Sequence, residues 1–142
     1  MAKAIEVLMV EDNRGDVVLV QEAVATAGLH YHITVVPDGV EALDYLQRRG
    51  RHAEATRPDL IVLDLKLPRR SGREFIADIN PDPVLRCIPT VVLSSSRSEL
   101  EVAQAQGSPS RICMVKPNTF PGYVEAAQRI EAFRQACQDR TA

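Results

Sequence analysis

The chain has 142 residues, 45% hydrophobic and 25% charged, with a formal net charge of −2 and a pI near 5.9. That length suits one domain with one sizeable core and leaves no room for a second. It also leaves no electrostatic reason to bind nucleic acid, no apolar run long enough for a membrane and, in "MAKAIEVLMV", no small-residue cleavage site, so the cytoplasm is the default expectation.

In chain order, "IEVLMV" (5–10) reads as a strand that runs straight into Glu11 and Asp12. Val17, Val20, Val24 and Ala27 then recur at helical spacing before Gly28, a good helix stop. His30 and His32 alternate on the approach to a second strand, "HITVVP" (32–37). With no third His, Cys or acid near them they read as a surface pair and not as metal ligands. "DGVEALDYLQRRG" (38–50) opens on a capping Asp38 and closes on Gly50 as a second helix. The basic cluster "QRRGRH" (47–52) reads as solvated surface where that helix enters a loop. Asp59 turns the chain into a third strand, "DLIVLD" (59–64). "SGREFIADI" (71–79) is the third helix, ended near Ile79 by Pro81 and Pro83. "PTVVLS" (89–94), the weakly striped helix "RSELEVAQAQG" (97–107) and the strand "RICMV" (111–115) follow. A last helix presents Tyr123, Ala127, Ile130, Phe133 or Arg134, and Cys137 on one face, with Arg134 packed by its stem at the edge. Cys87, Cys113 and Cys137, odd in number and widely spaced, fit reduced, partly buried thiols better than a disulfide frame or a zinc site.

Strands and helices in strict alternation demand an α/β fold: parallel strands, right-handed crossovers and helices on both faces. In such sheets the ligand site lies beyond the carboxyl ends of the strands. That edge collects Glu11 and Asp12 after the first strand, Asp64 at the end of the third, Ser94 at the end of the fourth and Lys116 after the fifth. Three converging carboxylates repel one another and are comfortable only with a cation among them, and all-oxygen donors suit a hard ion, Mg²⁺ first. Lys116 and Ser94 add a point charge and a hydroxyl for phosphoryl oxygens, so the set has the parts needed to form an acyl phosphate. Residue by residue, blander readings exist: Glu11 and Asp12 as first-turn helix acids, Ser94 as a strand-end cap, Lys116 as a surface lysine before a turn.

The ordered set "LMVEDN", "DGVEALDYL", "PDLIVLDLKLPRRSGREF", "IPTVVLSSS" and "MVKP" resembles the receiver domain of bacterial two-component response regulators over residues 5–136. "EDNRGDVVLVQEA", "RRGRHAEATRPD" and "VVLSSSRSELE" are most similar to the small stand-alone regulators that partner phytochrome histidine kinases. The resemblance implies a flavodoxin-like, doubly wound, five-stranded parallel sheet. It makes Asp64 the phosphoacceptor, Asp12, Asp64 and the Lys66 carbonyl metal ligands with Glu11 acting on the metal directly or through water, and Ser94 and Lys116 the groups on the phosphoryl oxygens. It also implies a small neighbour at Ser95 and a cis Lys116–Pro117 bond. The chain departs from the family at Cys113, where an aromatic switch residue is common, and in having Ser96 two residues after Ser94.

The expectation is a single receiver domain, 1–142 with its core at 5–137, and no output domain. It accepts a phosphoryl group from a sensor histidine kinase of phytochrome type in a Mg²⁺-dependent relay. It is a phosphoacceptor that assists its own phosphorylation, not an enzyme with turnover. It signals by contact with a downstream protein and forms a homodimer through the fourth helix, fifth strand and fifth helix. Competing readings are a receiver-like binding module that is never phosphorylated, an aspartyl-nucleophile phosphatase and a flavodoxin-like cofactor binder. The phosphatase wants a second acid where Lys66 stands, and the cofactor binder wants a phosphate cradle where Glu11 and Asp12 would repel one.

Overall fold

The computed structural model describes residues 3–105 and 107–141, with residues 140 and 141 described by backbone alone. The elements run β1 (Ile5–Val10), α1 (Arg14–Thr26), β2 (Tyr31–Val36), α2 (Gly39–Leu46), β3 (Leu60–Asp64), α3 (Gly72–Ile79), β4 (Thr90–Ser94), α4 (Arg97–Ala105), β5 (Arg111–Val115) and α5 (Phe120–Thr141). The five strands form one sheet in the order β2-β1-β3-β4-β5, and every pairing is parallel. This is the expected flavodoxin-like, doubly wound arrangement.

The pleat sorts alternate residues to opposite faces. Leu8 and Val10 of β1 join Ile61, Leu63 and Val92 under α2, α3 and α4, with Phe75 and Ile79 at the centre of that cluster. Val7 and Met9 join Val62, Val91 and Leu93 under α1 and α5, against Val20, Val24, Tyr123 and Ile130. β3 and β4 are buried along their whole length, which is why both read as unbroken apolar runs. Leaving β1, the chain returns first to β2 on one side and then to β3 on the other. The carboxyl ends of β1 and β3 therefore flank the switch point.

Helix ends follow local chemistry. Asn13, Asp38 and Ser71 cap α1, α2 and α3 by accepting a backbone N–H, and Ser71 with Glu74 completes a capping box. Gly28 ends α1 at φ +73°, with Leu29 N–H bonded to the Val24 carbonyl at 3.1 Å. α2 stops at Leu46, earlier than Gly50 suggests. Arg48 itself takes the left-handed position at φ +55°, with Arg49 N–H on the Asp44 carbonyl at 2.8 Å, while Gly50 opens a separate 3-10 turn.

Three surface readings need correction. The basic cluster is not simply solvated: Arg51 and His52 both pair with Glu41, and the His52 ring meets Tyr45 edge-on at 5.3 Å. This happens because the 3-10 turn folds the segment back over α2. Arg134 is buried and not merely stem-packed. Its Nε and Nη2 donate to Glu131, which also accepts the Tyr31 hydroxyl at 2.7 Å and so ties α5 to the edge strand β2. Cys87 is exposed on a short 3-10 turn, whereas Cys113 is half-buried and Cys137 buried; none of the three forms a disulfide.

Candidate functional site

Glu11 follows β1 directly, its backbone N–H held by the Val36 carbonyl at 3.0 Å. The carboxyl ends of β1 and β3 carry Glu11 and Asp64 into near-complete burial, and Asp12 stays exposed beside them. One carboxylate oxygen from each of Glu11, Asp12 and Asp64 lies within 4.8 Å of the others. That the chain can bend so tightly behind Asp64 depends on Gly72. A Cβ there would sit 2.3 Å from the Asp64 carbonyl oxygen and 2.7 Å from Leu65 Cα, so only glycine lets α3 start against the backbone of Asp64.

Lys116 enters from the end of β5, its backbone N–H on the Ser94 carbonyl at 2.9 Å. Its Nζ donates to Glu11 Oε1 at 2.9 Å, Asp64 Oδ2 at 3.1 Å and, unexpectedly, Asp16 Oδ2 at 2.7 Å. The Lys116–Pro117 bond is not cis as the resemblance implies, since no described peptide bond is cis. The path of β5 and its bond to Ser94 bring the ammonium among the acids with a trans bond. Asp16 was not legible as a site residue. It stands four residues after Asp12 in the first turn of α1, where an acid is already explained by the helix dipole.

The second oxygens of Glu11 and Asp64 are engaged too. Glu11 Oε2 accepts Asn13 N–H at 3.2 Å, and Asp64 Oδ1 accepts Lys66 N–H at 3.2 Å. The Lys66 backbone therefore lies against Asp64, with its side chain exposed. Burial pushes the Glu11 carboxyl up to about 7; the Lys116 bond opposes this and neighbouring Asp64 adds to it. Burial pulls the Lys116 ammonium down, but its bonds to Asp16, Glu11 and Asp64 more than reverse that and hold it above the ordinary lysine value.

Three carboxylates thus bond one ammonium, and a fourth, Asp12, lies beside two of them. An all-oxygen, partly buried, over-acidic set of this kind fits a hard divalent cation.

Ser94 is fully buried, and its Oγ accepts Ser96 N–H at 3.1 Å. Ser96 in turn caps the start of α4: its Oγ accepts Glu99 N–H at 3.4 Å and its carbonyl accepts Leu100 N–H at 3.2 Å. The exposed Ser95 adds no bulk over the site. Cys113 lies under α4 beside Leu100 and Gln104. Burial pushes its thiol up and so disfavours the reactive thiolate, an effect that Arg111 only partly opposes.

The sequence profile of the response regulator receiver domain matches residues 7–128. Response regulator Rcp1 of Synechocystis sp. is 35% identical over 127 residues, 89% of this chain and 86% of that protein. The crystal structure of the phosphorylated cyanobacterial phytochrome response regulator RcpA superposes with a TM-score of 0.81 at 38% identity, covering 94% of this chain and 95% of that one. The Mn²⁺-bound form of Rcp1 superposes with a TM-score of 0.78 at 33% identity, covering 91% and 93%. With the profile spanning most of the chain and these relatives matching it nearly end to end, the protein belongs to the response regulator receiver domain family.

Proposed function

We propose that this receiver accepts a phosphoryl group on Asp64 from a histidine kinase, one of phytochrome type, in a Mg²⁺-dependent cytoplasmic relay. The observation that carries the reading is the position of the Asp64 carboxylate, bonded to Lys116 through Oδ2 and within 4.8 Å of ligand oxygens from Glu11 and Asp12. Similarity to Rcp1 and to the phytochrome response regulator RcpA supports the kinase class.

In the reaction the phosphorus–nitrogen bond of a phosphohistidine breaks and a phosphorus–oxygen bond to Asp64 forms, leaving an acyl phosphate and a histidine that regains its proton. Glu11, Asp12, Asp64 and the Lys66 carbonyl would hold the metal, and Mg²⁺ supplies charge neutralisation for the phosphoryl oxygens. Lys116 gives its ammonium to one phosphoryl oxygen and the Ser94 hydroxyl donates to another. When Ser94 turns toward the phosphoryl group, Ser96 N–H loses its acceptor and the start of α4 is disturbed. Only Leu100 and Ala103 of α4 are buried, so the helix is weakly anchored and free to respond. Output is by contact with a downstream protein. A homodimer forms through α4, β5 and α5, which carry exposed Val102, Val115 and Phe120.

Three outcomes are expected. With Mg²⁺ and a small acyl-phosphate donor, the wild type gains one phosphoryl mass and Asp64→Asn gains none while keeping its fold; labelling of the variant at the wild-type rate would sink the assignment. Cys113→Ala keeps nearly the wild-type ratio of partner affinities between phosphorylated and unphosphorylated forms, because the small thiol has no aromatic ring to swing. Loss of that ratio would make Cys113 part of the switch. Light scattering reads a dimer that Val115→Glu disrupts; a monomer at high concentration, phosphorylated or not, removes the dimer.

A further inference from the structure

We propose that Asp16 is the acceptor to which Lys116 withdraws when a divalent cation occupies the Glu11, Asp12 and Asp64 carboxylates, and from which Lys116 is released to a phosphoryl oxygen. This rests on the cation-dependent reading of the site given above.

The geometry begins with how α1 starts. In α3 the third-position acid, Glu74, turns back to the cap residue and accepts Ser71 N–H at 3.2 Å. α1 has an acid at the same position, Asp16, beneath its cap Asn13, whose side chain accepts Asp16 N–H at 3.0 Å. Here the cap's own N–H is already taken by Glu11 Oε2 at 3.2 Å. The Asp16 carboxylate is therefore released from capping and reaches across to Lys116. Its 2.7 Å contact is the shortest of the three that Lys116 makes.

Asp16 also differs from the other two acceptors in what a cation does to them. Glu11 and Asp64 belong to the group whose oxygens can share one ion, and Asp16 does not. A bound divalent ion takes lone pairs that Lys116 now uses on Glu11 and Asp64, and it repels the ammonium. Of the three acceptors Lys116 has among the described residues, this leaves Asp16, whose side chain is 26% exposed against 3% for Glu11 and 9% for Asp64. A less buried carboxylate binds the ammonium at smaller desolvation cost and gives it up more readily. Asp16 is thus a positioning residue that acts through Lys116. It keeps the ammonium within reach of the phosphoryl site without leaving it in the cation's place.

The test is a double-mutant cycle on the full chain, with Mg²⁺ affinity read by calorimetry and folding checked by circular dichroism. Asp16→Asn keeps the shape and removes the charge. In the Lys116 background it weakens Mg²⁺ binding about fivefold or more, because the displaced ammonium has nowhere to go; in the Lys116→Gln background the same change costs less than about twofold. Asp16→Ser, which is also compatible with a first helical turn, gives the same pattern. An equal loss in both backgrounds overturns the inference, since Asp16 would then act only as a distant charge. No loss in either background, with the wild type binding Mg²⁺, also overturns it and leaves the cation reading intact. A wild type that binds no Mg²⁺ overturns both.

Discussion

The Lys116 ammonium, set among Glu11, Asp16 and Asp64, is the interaction on which the rest of the site depends. Two unit charges 4 Å apart at an effective dielectric of about 20 interact by about 4 kcal/mol. A domain's whole stability is only about 5–15 kcal/mol, so buried acids without a counter-charge would be intolerable. Glu11 records the tension in a carboxyl pushed up to about 7 even with Lys116 bonded to it. The parallel sheet creates this situation by sending the carboxyl ends of β1, β3, β4 and β5 to one edge. It also contains it, by delivering the lysine from β5 to the same edge.

The same lysine ties the acidic site to the strand end that leads into α4. Its backbone N–H is bonded to the Ser94 carbonyl, and the Ser94 hydroxyl holds Ser96, the residue that caps α4. In the proposed reading, a phosphoryl group on Asp64 engages Lys116 and Ser94, and from Ser94 the change passes through one hydrogen bond to a helix with two buried residues. Cys113 has no aromatic ring to swing, so in the proposed reading the Ser94–Ser96 hydrogen bond is the route by which phosphorylation reaches α4. The thiol, partly buried beneath α4, is a packing group whose surroundings disfavour thiolate.

Much of this was legible in the sequence because burial and chemistry there coincide. Strands buried on both faces read as unbroken apolar runs, and each run that reaches the site ends abruptly in a polar group: Glu11 after β1, Asp64 in β3, Ser94 in β4, Lys116 after β5. What escaped has a physical reason in each case. Asp16 looks like any first-turn acid until the cap's N–H is found to be taken by Glu11. Arg48 occupies a left-handed helix end where the glycine two residues on appeared the better candidate, and the turn it starts brings Arg51 and His52 back onto Glu41. Arg134 goes deeper than its place at the edge of a stripe suggests because Glu131 and Tyr31 give it a buried polar setting.

If Lys116 holds the place that a divalent cation takes, removing it must tighten cation binding. The direct measurement is the urea unfolding midpoint of the wild type and of Lys116→Met, each in chelator and in saturating Mg²⁺. A ligand that binds only the folded state stabilises it in proportion to the logarithm of its affinity. The expected result is that Lys116→Met is less stable than the wild type in chelator and gains more from Mg²⁺ than the wild type does. Equal gains in the two proteins, or none in either, would contradict the place of Lys116 as the stand-in for the cation.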